Sequence, residues 1–285
     1  MLAEIPLDGS LETVLAAGPG AETALYWLGQ AGFVLDIAGT RLVIDPYLSD
    51  ALSDRYPDMP ERYARMMPAP VAAGALAHVD AVLCTHAHTD HMDPGTLPAL
   101  FAANPRAVLV APRAMRQAAL TRSGLAEGHL RLVEAGETLE LAPGIAVTAT
   151  RAAHETLERD GDGNHRFLGY AVRGPELTVW HSGDTVPFDG QAAEVAALRP
   201  DVALLPVNGR RPELSQNGVP GNLFLDEAVG LAGAVGAAVM VAHHYGLFAF
   251  NTLDPETIDA RARDASHPAL LRARTGVALR PSRDA

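Results

Sequence analysis

The sequence is poor in residues that several kinds of chemistry require. It has 285 residues with a single cysteine, Cys84, and all 22 of its basic residues are arginine. One cysteine excludes an intrachain disulfide and a cysteine-rich zinc knuckle. The absence of lysine excludes Schiff-base catalysis and the phosphate-binding loop that depends on a lysine.

Long apolar runs are missing as well. No stretch approaches the roughly 18 apolar residues that a membrane-spanning helix needs. Residues 1–15 lack the basic start and the apolar centre of a signal peptide. The sequence therefore predicts a protein without a membrane partner, for which the cytoplasm is the default compartment.

Acidic residues outnumber basic ones, and the formal net charge is −12. A field of that sign repels nucleic acid. With 48% hydrophobic and 20% charged residues, the composition is typical of a globular protein. No clear linker divides the chain, so we expect one domain over residues 1–285, with a core at about 24–264 and a C-terminal tail at 265–285. The number of subunits is open, and a homo-oligomer is one option.

Short apolar runs bounded by glycine, proline or aspartate alternate with helical patterns. The predicted strands are Ala24–Leu28, Phe33–Ile37, Arg41–Ile44, Ala81–Cys84, Ala107–Val110, Ile145–Thr150, Phe167–Val172, Leu177–Trp180, Val202–Leu205 and Ala238–Val241. The predicted helices are Gly95–Ala103, Arg113–Ser123, Gln191–Ala197, Leu225–Val235 and Pro255–Ala265. The closely spaced early strands indicate an antiparallel meander, and the helices between later ones indicate two sheets with helices outside. The long segment 49–75 is expected to hold its own helix or to cover a site.

The strongest chemical signal is a run of metal-binding residue types after the predicted strand Ala81–Cys84. Within six residues it holds His86, His88, Asp90 and His91. Alternate side chains of an extended segment point the same way, so two histidines can face one ion before a turn brings the last two residues round. Imidazole nitrogens and carboxylate oxygens are the ligands that borderline divalent metals prefer. The run therefore predicts a metal site at the end of a strand.

Further candidate ligands also follow predicted strands. Each position alone is a weak signal, because a lone histidine after a strand is more often hydrogen-bonded than metal-bound. Their repetition at strand ends supports them together as the remaining ligands. These candidates are His154 after Ile145–Thr150, Asp184 after Leu177–Trp180, and either His243 or His244 after Ala238–Val241.

The pattern His-x-His-x-Asp-His, followed far along the chain by His, Asp and His, resembles the metallo-β-lactamase superfamily over roughly residues 25–259. Within that superfamily the chain is most similar to the L-ascorbate-6-phosphate lactonase branch. It departs from the branch at Gly246, where those enzymes generally carry an acidic residue. The segments that carry the finer similarity are Tyr26–Phe33, Ile44–Asp50, Ser182–Thr185, Pro206–Arg210, Gly221–Asn222, His244–Phe248 and Asn251–Thr252.

The resemblance implies an α/β protein, an αββα four-layer sandwich with two metal ions at one edge. The donor set permits Zn or Mn, with Fe as a third metal. In the choice between His243 and His244 the resemblance selects His244 and leaves His243 as the fallback. The implied roles are one ion held by His86, His88 and His154, a second held by Asp90, His91 and His244, a bridge by Asp184, and a ligand-orienting carboxylate at Asp45.

Water bound to such ions loses a proton near neutral pH and becomes a nucleophile. The sequence therefore predicts a metal-dependent hydrolase that uses a metal-bound hydroxide, with Asp90 as a catalytic proton acceptor. We expect a small anionic metabolite as the substrate, in the sharpest version a sugar-phosphate or sugar-acid lactone. Two alternatives stay open: a phosphodiesterase or nuclease of the same superfamily, and a non-catalytic metal-binding protein.

Three polar residues are candidate substrate contacts: Asn208, Arg210 and Asn222. The first two follow the predicted strand Val202–Leu205, and an arginine fork suits a carboxylate or phosphate group. Asn222 has the alternative role of capping the helix that starts at Leu225. Segment 160–164 is expected to form a hairpin tip. The remaining histidines show no partner pattern and are expected to be structural or superficial: His78, His129, His165, His181 and His267.

Overall fold

The structure is a computed structural model that describes residues 2–59, 61–264 and 267–282. Its strands form two mixed sheets, and the chain divides into two compact units. The first unit takes the described residues within Met1–Leu132, Leu247–Phe250 and Arg274–Ala285, and the second takes Val133–Gly246 and those within Asn251–Ala273. The sequence expectation of one domain over the whole chain stays a prediction.

The first unit is built on an eight-stranded sheet in the order β1-β15-β2-β3-β4-β5-β6-β7. The strands are β1 (Leu2–Pro6), β2 (Ala24–Gly29), β3 (Gly32–Ile37), β4 (Thr40–Ile44), β5 (Ala81–Leu83), β6 (Val108–Pro112), β7 (Leu130–Val133) and β15 (Val277–Pro281). The helices are α1 (Leu11–Ala16), α2 (Ala51–Arg55), α3 (Leu97–Ala103) and α4 (Arg116–Ser123).

The predicted meander is present as the antiparallel ladder β2-β3-β4. Ala38 and Gly39 both have positive φ at the turn between β3 and β4, which matches the twist of a two-residue hairpin. From β4 onward the pairing becomes parallel, through β5 to β6. The carboxyl ends of these three strands therefore meet at one sheet edge, where Asp45 and His86 follow β4 and β5.

A buried ion pair lies at the opposite edge of this sheet, where β4 begins. Arg41 is 1% exposed, and its guanidinium lies 2.7 Å from the carboxylate of Asp36. The same guanidinium donates to the backbone oxygens of Leu15, Ala17 and Ala77. It therefore joins the loop after α1 and the loop before β5 to the strand β4.

The second unit is built on a seven-stranded sheet in the order β14-β13-β12-β11-β10-β9-β8. The strands are β8 (Thr138–Ala142), β9 (Ile145–Arg151), β10 (Leu168–Arg173), β11 (Thr178–His181), β12 (Val202–Pro206), β13 (Val239–His243) and β14 (Ala269–Arg272). The helices are α5 (Gln191–Ala196), α6 (Pro212–Ser215), α7 (Leu225–Ala234) and α8 (Pro255–Asp264).

The direction of these strands gathers polar residues at one edge of the second sheet. The strands β11, β12, β13 and β14 are parallel. Because β10 is antiparallel to both β9 and β11, the strand β9 runs the same way as β11. His154, Asp184 and His244, which follow β9, β11 and β13, therefore lie at the same edge.

All ten predicted strands and all five predicted helices are present, with small shifts at their ends. The prediction for Gly95–Ala103 starts two residues early, and Arg113–Ser123 begins as a one-turn 3-10 helix before α4. The predicted end of the last helix, Ala265, lies outside the described residues, which carry α8 as far as Asp264. Among the described helices, none combines the length and the apolar character that crossing a membrane requires.

Segment 49–75 holds a short helix of its own, α2, as one of its two expected roles required. Several terminal and irregular elements were not predicted: the strands β1, β7 and β8 and the short helices α1 and α6. The expected tail holds β14, which lies at the edge of the second sheet, and β15, which lies inside the first sheet between β1 and β2. β1 and β15 are short and pair with each other from opposite ends of the chain, so no local periodicity marks them.

The buried ion pair yields a prediction about stability. Arg41→Ala leaves the buried carboxylate of Asp36 without its charge partner, which should lower the free energy of unfolding by about 3–5 kcal/mol. The control is Arg116→Ala, which removes a pair with Glu127 whose side chains are 52% and 61% exposed and should cost less than about 1 kcal/mol. Urea unfolding of the metal-free proteins measures both. Equal losses in the two variants would contradict a supporting role for the buried pair.

Candidate metal centre

The histidine run of the first unit lies in a reversal of the chain after β5. The N–H groups of His91 and Met92 both donate to the carbonyl oxygen of His88, at 3.1 and 2.9 Å. This turn brings the ring of His91 to 4.0 Å from that of His86, whose ring is 4.6 Å from that of His88. The reversal thus gathers three imidazoles at one sheet edge, although the run is bent rather than extended as the sequence suggested.

A buried carboxylate orients this group. Asp45 is 0% exposed and accepts hydrogen bonds from the N–H of Thr85 at 2.8 Å and from its hydroxyl at 2.5 Å. Its Oδ2 lies 2.7 Å from Nδ1 of His91. Because a carboxylate accepts but does not donate, Nδ1 of His91 carries the proton and Nε2 is the nitrogen left for a metal.

The backbone at Asp45 is itself unusual, with a φ of +44°. A residue other than glycine rarely adopts this left-handed conformation, and it persists only where surrounding contacts fix it. The three contacts of the Asp45 carboxylate supply that restraint. The donor atoms of Asp45, His86 and His91 lie within 4.8 Å of one another, a spacing at which they could hold an ion.

Asp90 is held by a residue whose role the sequence analysis missed. The side-chain amide of Gln30 donates to Asp90 Oδ2 at 2.8 Å, and the same oxygen lies 3.9 Å from Nε2 of His91. Gln30 is 60 residues away along the chain and has a φ of +49°. No spacing or periodicity marks such a partner, and Gln30 appeared in the sequence analysis only inside the segment Tyr26–Phe33.

The second unit carries its own group of buried donors. Oδ2 of Asp184 lies 3.3 Å from Nε2 of His244 and 3.7 Å from Nε2 of His154. The three side chains are at most 4% exposed. Asp184 therefore lies between two imidazole nitrogens, the place that a bridging carboxylate would occupy.

The two adjacent histidines at the end of β13, His243 in the strand and His244 after it, have different surroundings. His244 reaches Asp184, whereas the ring of His243 stacks on that of His181 at a centroid distance of 4.8 Å. Burial, with the nearby His181, lowers the pKa of His243 well below its usual range. His243 is thus a neutral packing residue next to the candidate ligand, and the geometry favours His244 over it.

The candidate substrate residues all have partners within the second unit. Asn208 donates to Asn251 at 3.0 Å and accepts from the amide of Asn222 at 3.0 Å. The cap of α7 is Phe224, so the helix-capping alternative for Asn222 is wrong. The two terminal nitrogens of Arg210 each lie 2.6 Å from an oxygen of Glu227. These contacts do not test substrate binding, which stays a prediction.

The remaining sequence expectations concern structural groups. His181 and His165 are buried, and His165 contacts Glu134. His78 and His129 lie within hydrogen-bond distance of backbone carbonyl oxygens, and His267 is exposed. Segment 160–164 forms the expected hairpin tip, closed by the bridge between Arg159 and His165.

Comparison with known proteins identifies the superfamily of the chain. The family described as the beta-lactamase superfamily domain matches residues 40–245, a span that contains all seven candidate ligands. The chain is also similar to the solved structure of an isothiocyanate hydrolase from Delia radicum gut bacteria. That match has a TM-score of 0.73 and 18% identity, and it covers 91% of this chain and 99% of the other. The predicted fold class, an α/β protein with the metallo-β-lactamase fold, is confirmed.

Two relatives from the sequence comparison are informative. A UPF0173 metal-dependent hydrolase of Azorhizobium caulinodans is 30% identical over 238 residues, which cover 79% of this chain and 86% of the relative. An N-acyl-phosphatidylethanolamine-hydrolyzing phospholipase D 1 of Caenorhabditis elegans is 26% identical over 260 residues, covering 85% and 72%. The fold and the donors define a metal-dependent hydrolase of the beta-lactamase superfamily. Within that class, the chain belongs to the UPF0173 metal-dependent hydrolase family.

The buried carboxylate next to His91 yields a prediction about metal affinity. Asp45→Asn keeps the shape of the side chain and tolerates the positive φ, but it removes the charge that orients the imidazole. We expect metal affinity to fall about 10–100-fold, measured by competition with a chromogenic chelator. The control is Asp50→Asn, at a helix cap whose side chain makes no capping hydrogen bond. Unchanged affinity in Asp45→Asn would show that the carboxylate does not orient a ligand.

A second prediction separates the adjacent histidines. His244→Ala should reduce the amount of metal bound per chain, because it removes a donor next to Asp184. His243→Ala should keep the metal and lower the free energy of unfolding by about 2–5 kcal/mol, because it opens a cavity beside His181. Elemental analysis and urea unfolding of both variants measure these effects. The opposite pattern, with metal lost only in His243→Ala, would reverse the assignment.

Proposed function

We propose that the chain is a hydrolase that uses divalent metal ions, held by the buried donors that each unit carries, to cleave a small ester or lactone. The observation that carries the proposal is the orientation of buried donors within each unit. Asp45 engages Nδ1 of His91, which leaves Nε2 for a metal. Asp184 lies beside Nε2 of both His154 and His244.

The donor chemistry fits Zn or Mn, with Fe as the third choice, because it combines neutral imidazoles and carboxylates. A thiolate would shift the preference towards soft metals, but Cys84 does not supply one. Burial raises the pKa of the Cys84 thiol well above its usual range, and its Sγ lies 3.5 Å from the carbonyl oxygen of His91. Cys84 is therefore a packing residue behind the ligand run.

The proposed ligands are His86, His88, Asp90 and His91 from the first unit, with His154, Asp184 and His244 from the second. When bound, the ions would lower the pKa of a water ligand to about 7 and polarise the oxygen of the bond under attack. We assign the role of proton acceptor to Asp90, and its partial exposure and the hydrogen bond from Gln30 to one of its oxygens support this assignment. Asp184 supplies a negative charge between the two imidazoles.

For the substrate, a sugar-phosphate or sugar-acid lactone is the version that the segments similar to the lactonase branch favour. Asn208 and Asn222 form one hydrogen-bonded unit at the end of β12, where they could contact a hydroxylated ring. Arg210 was the candidate contact for an anionic group of that substrate. Its charge is already balanced by Glu227, so the charge of the substrate needs its own test.

A phosphodiesterase is the second candidate, and the similarity to a phospholipase D over 85% of this chain is the observation that favours it. The two candidates differ in the bond attacked and share the same donors. A panel of lactones and phosphodiesters, assayed with Zn or Mn, separates them. The net charge of −12 favours small substrates over long polyanions, whose cleavage would weaken steeply with added salt.

Metal removal and one ligand variant test the proposal. Dialysis against a chelator should abolish turnover, and added Zn or Mn should restore it. His88→Ala should lower turnover more than about a hundredfold, because removing a ligand costs more than removing a supporting partner, and it should also lower the metal content. The matched control is His129→Ala, which removes a histidine whose Nδ1 lies 3.2 Å from the backbone oxygen of Ala107 and that is not among the proposed ligands.

Activity that survives chelation, or full turnover in His88→Ala, would contradict the mechanism. Stoichiometric metal without hydrolysis of any ester, lactone or phosphodiester would instead favour the non-catalytic alternative.

A further inference from the structure

A cleft of about 440 Å³ opens in the second unit, and its lining mixes charged and apolar groups. The lining residues are Glu155, Val186, Pro187, Arg210 and Glu227. Glu155 directly follows His154, and Val186 comes two residues after Asp184. A substrate whose reacting bond lies at those two ligands would therefore place a neighbouring group in this cleft.

The guanidinium of Arg210 makes three hydrogen bonds to its surroundings. Both terminal nitrogens bond Glu227 at 2.6 Å, and one of them also donates to the carbonyl oxygen of Asn222 at 3.3 Å. The guanidinium carbon lies 4.4 Å from the centroid of the Phe224 ring, an arrangement that stabilises a cation. The positive charge in the cleft is thus held in place and neutralised by its neighbour.

Glu227, the partner of Arg210, is also held by several hydrogen bonds. Its carboxylate also accepts the N–H of Phe224 at 2.9 Å, at the start of α7, where negative charge is favourable. Hydrogen bonds from Arg210 lower the pKa of Glu227, so Glu227 stays ionised at neutral pH. An anionic group that approached Arg210 would meet the negative charge of a partner that is itself held by three hydrogen bonds.

Glu155 adds a second carboxylate to the lining. One of its oxygens accepts from the hydroxyl of Ser215 and from the N–H of Gly221. Within the described part of the chain, no residue donates to its other oxygen. The lining therefore carries two carboxylates and one guanidinium, a formal charge of −1, and offers an acceptor to a donor group.

We propose that this cleft binds a neutral, hydroxylated or cationic group of the substrate, and that Glu227 sets this preference by masking the charge of Arg210. The proposal depends on the proposed function, because it takes His154 and Asp184 as metal ligands. The same lining disfavours a carboxylate, sulfonate or phosphate group, in contrast to the anionic substrate that Arg210 suggested in the sequence.

The test compares three 4-nitrophenyl esters whose acyl chains end in trimethylammonium, tert-butyl or sulfonate. The first two groups have the same shape and differ in charge. With the metal-loaded native protein, we expect kcat/KM for the sulfonate ester to be about tenfold below that for the tert-butyl ester, mainly through KM. The trimethylammonium ester should be hydrolysed at least as well as the tert-butyl ester.

Glu227→Gln is the informative variant, because glutamine keeps the shape and can still accept from Phe224 and Arg210. The substitution removes the negative charge that balances Arg210. The difference in kcat/KM between the sulfonate and tert-butyl esters should therefore disappear or reverse. The matched control is Asp226→Asn, one residue earlier on α7, at a side chain that is 84% exposed and pairs with Arg261. It makes the same change in net charge and should leave the order of the three esters unchanged.

Ether analogues of the three esters lack the reacting carbonyl, so their binding can be measured without hydrolysis. They therefore test the cleft proposal separately from the hydrolase proposal. Titration calorimetry should give the same charge order as the kinetics. If the native protein binds the three analogues in the expected order, and Glu227→Gln changes that order, while no ester is hydrolysed, the result would contradict the hydrolase proposal. It would still support the proposed preference of the cleft. Three results would overturn the proposal for the cleft. They are tighter binding of the sulfonate analogue than of the other two by the native protein, the same change in both variants, and no binding of any analogue.

Discussion

The interaction on which the first unit's donor group depends is the buried hydrogen bonding of Asp45. This carboxylate is sealed from water at the end of β4 and reaches the start of the histidine run through Thr85 and its far end through His91. Parallel pairing of β4 with β5 places the two strand ends side by side. A charged group with no exposure is stable only with such partners. The orientation of His91 therefore depends on the pairing of β4 with β5 and on the hydrogen bonds of Asp45.

The second unit reaches a comparable arrangement through a different route. Three strand ends at one edge supply His154, Asp184 and His244, and the carboxylate lies between the imidazoles. His243 occupies the adjacent position but packs against His181 inside the unit. Two adjacent residues thus have different roles: His244 is a candidate ligand and His243 is a packing residue. If His154 and Asp184 hold a metal ion as proposed, the cleft that Glu155 and Val186 line would decide which substituents a substrate can carry.

Much of this arrangement could be predicted from the sequence, because its signals are local. The apolar runs of the ten predicted strands and the dense run from His86 to His91 are visible in a short window, and strand ends marked the distant candidates. The parts that could not be predicted depend on contacts without a local signature. Gln30 meets Asp90 across 60 residues, and Arg210 is neutralised by a glutamate 17 residues further along. An arginine after a strand suggests an anion site until its partner is seen, and only the three-dimensional structure supplies that partner.

We take the buried donors of both units to be metal ligands. The measurement that tests this assignment most directly is a crystal structure of the protein grown with Mn or Zn, with anomalous difference density collected at the absorption edge of the metal. We expect anomalous peaks at the run from His86 to His91 and at Asp184 with its neighbouring histidines, His154 and His244. The absence of a peak at these side chains would contradict the assignment.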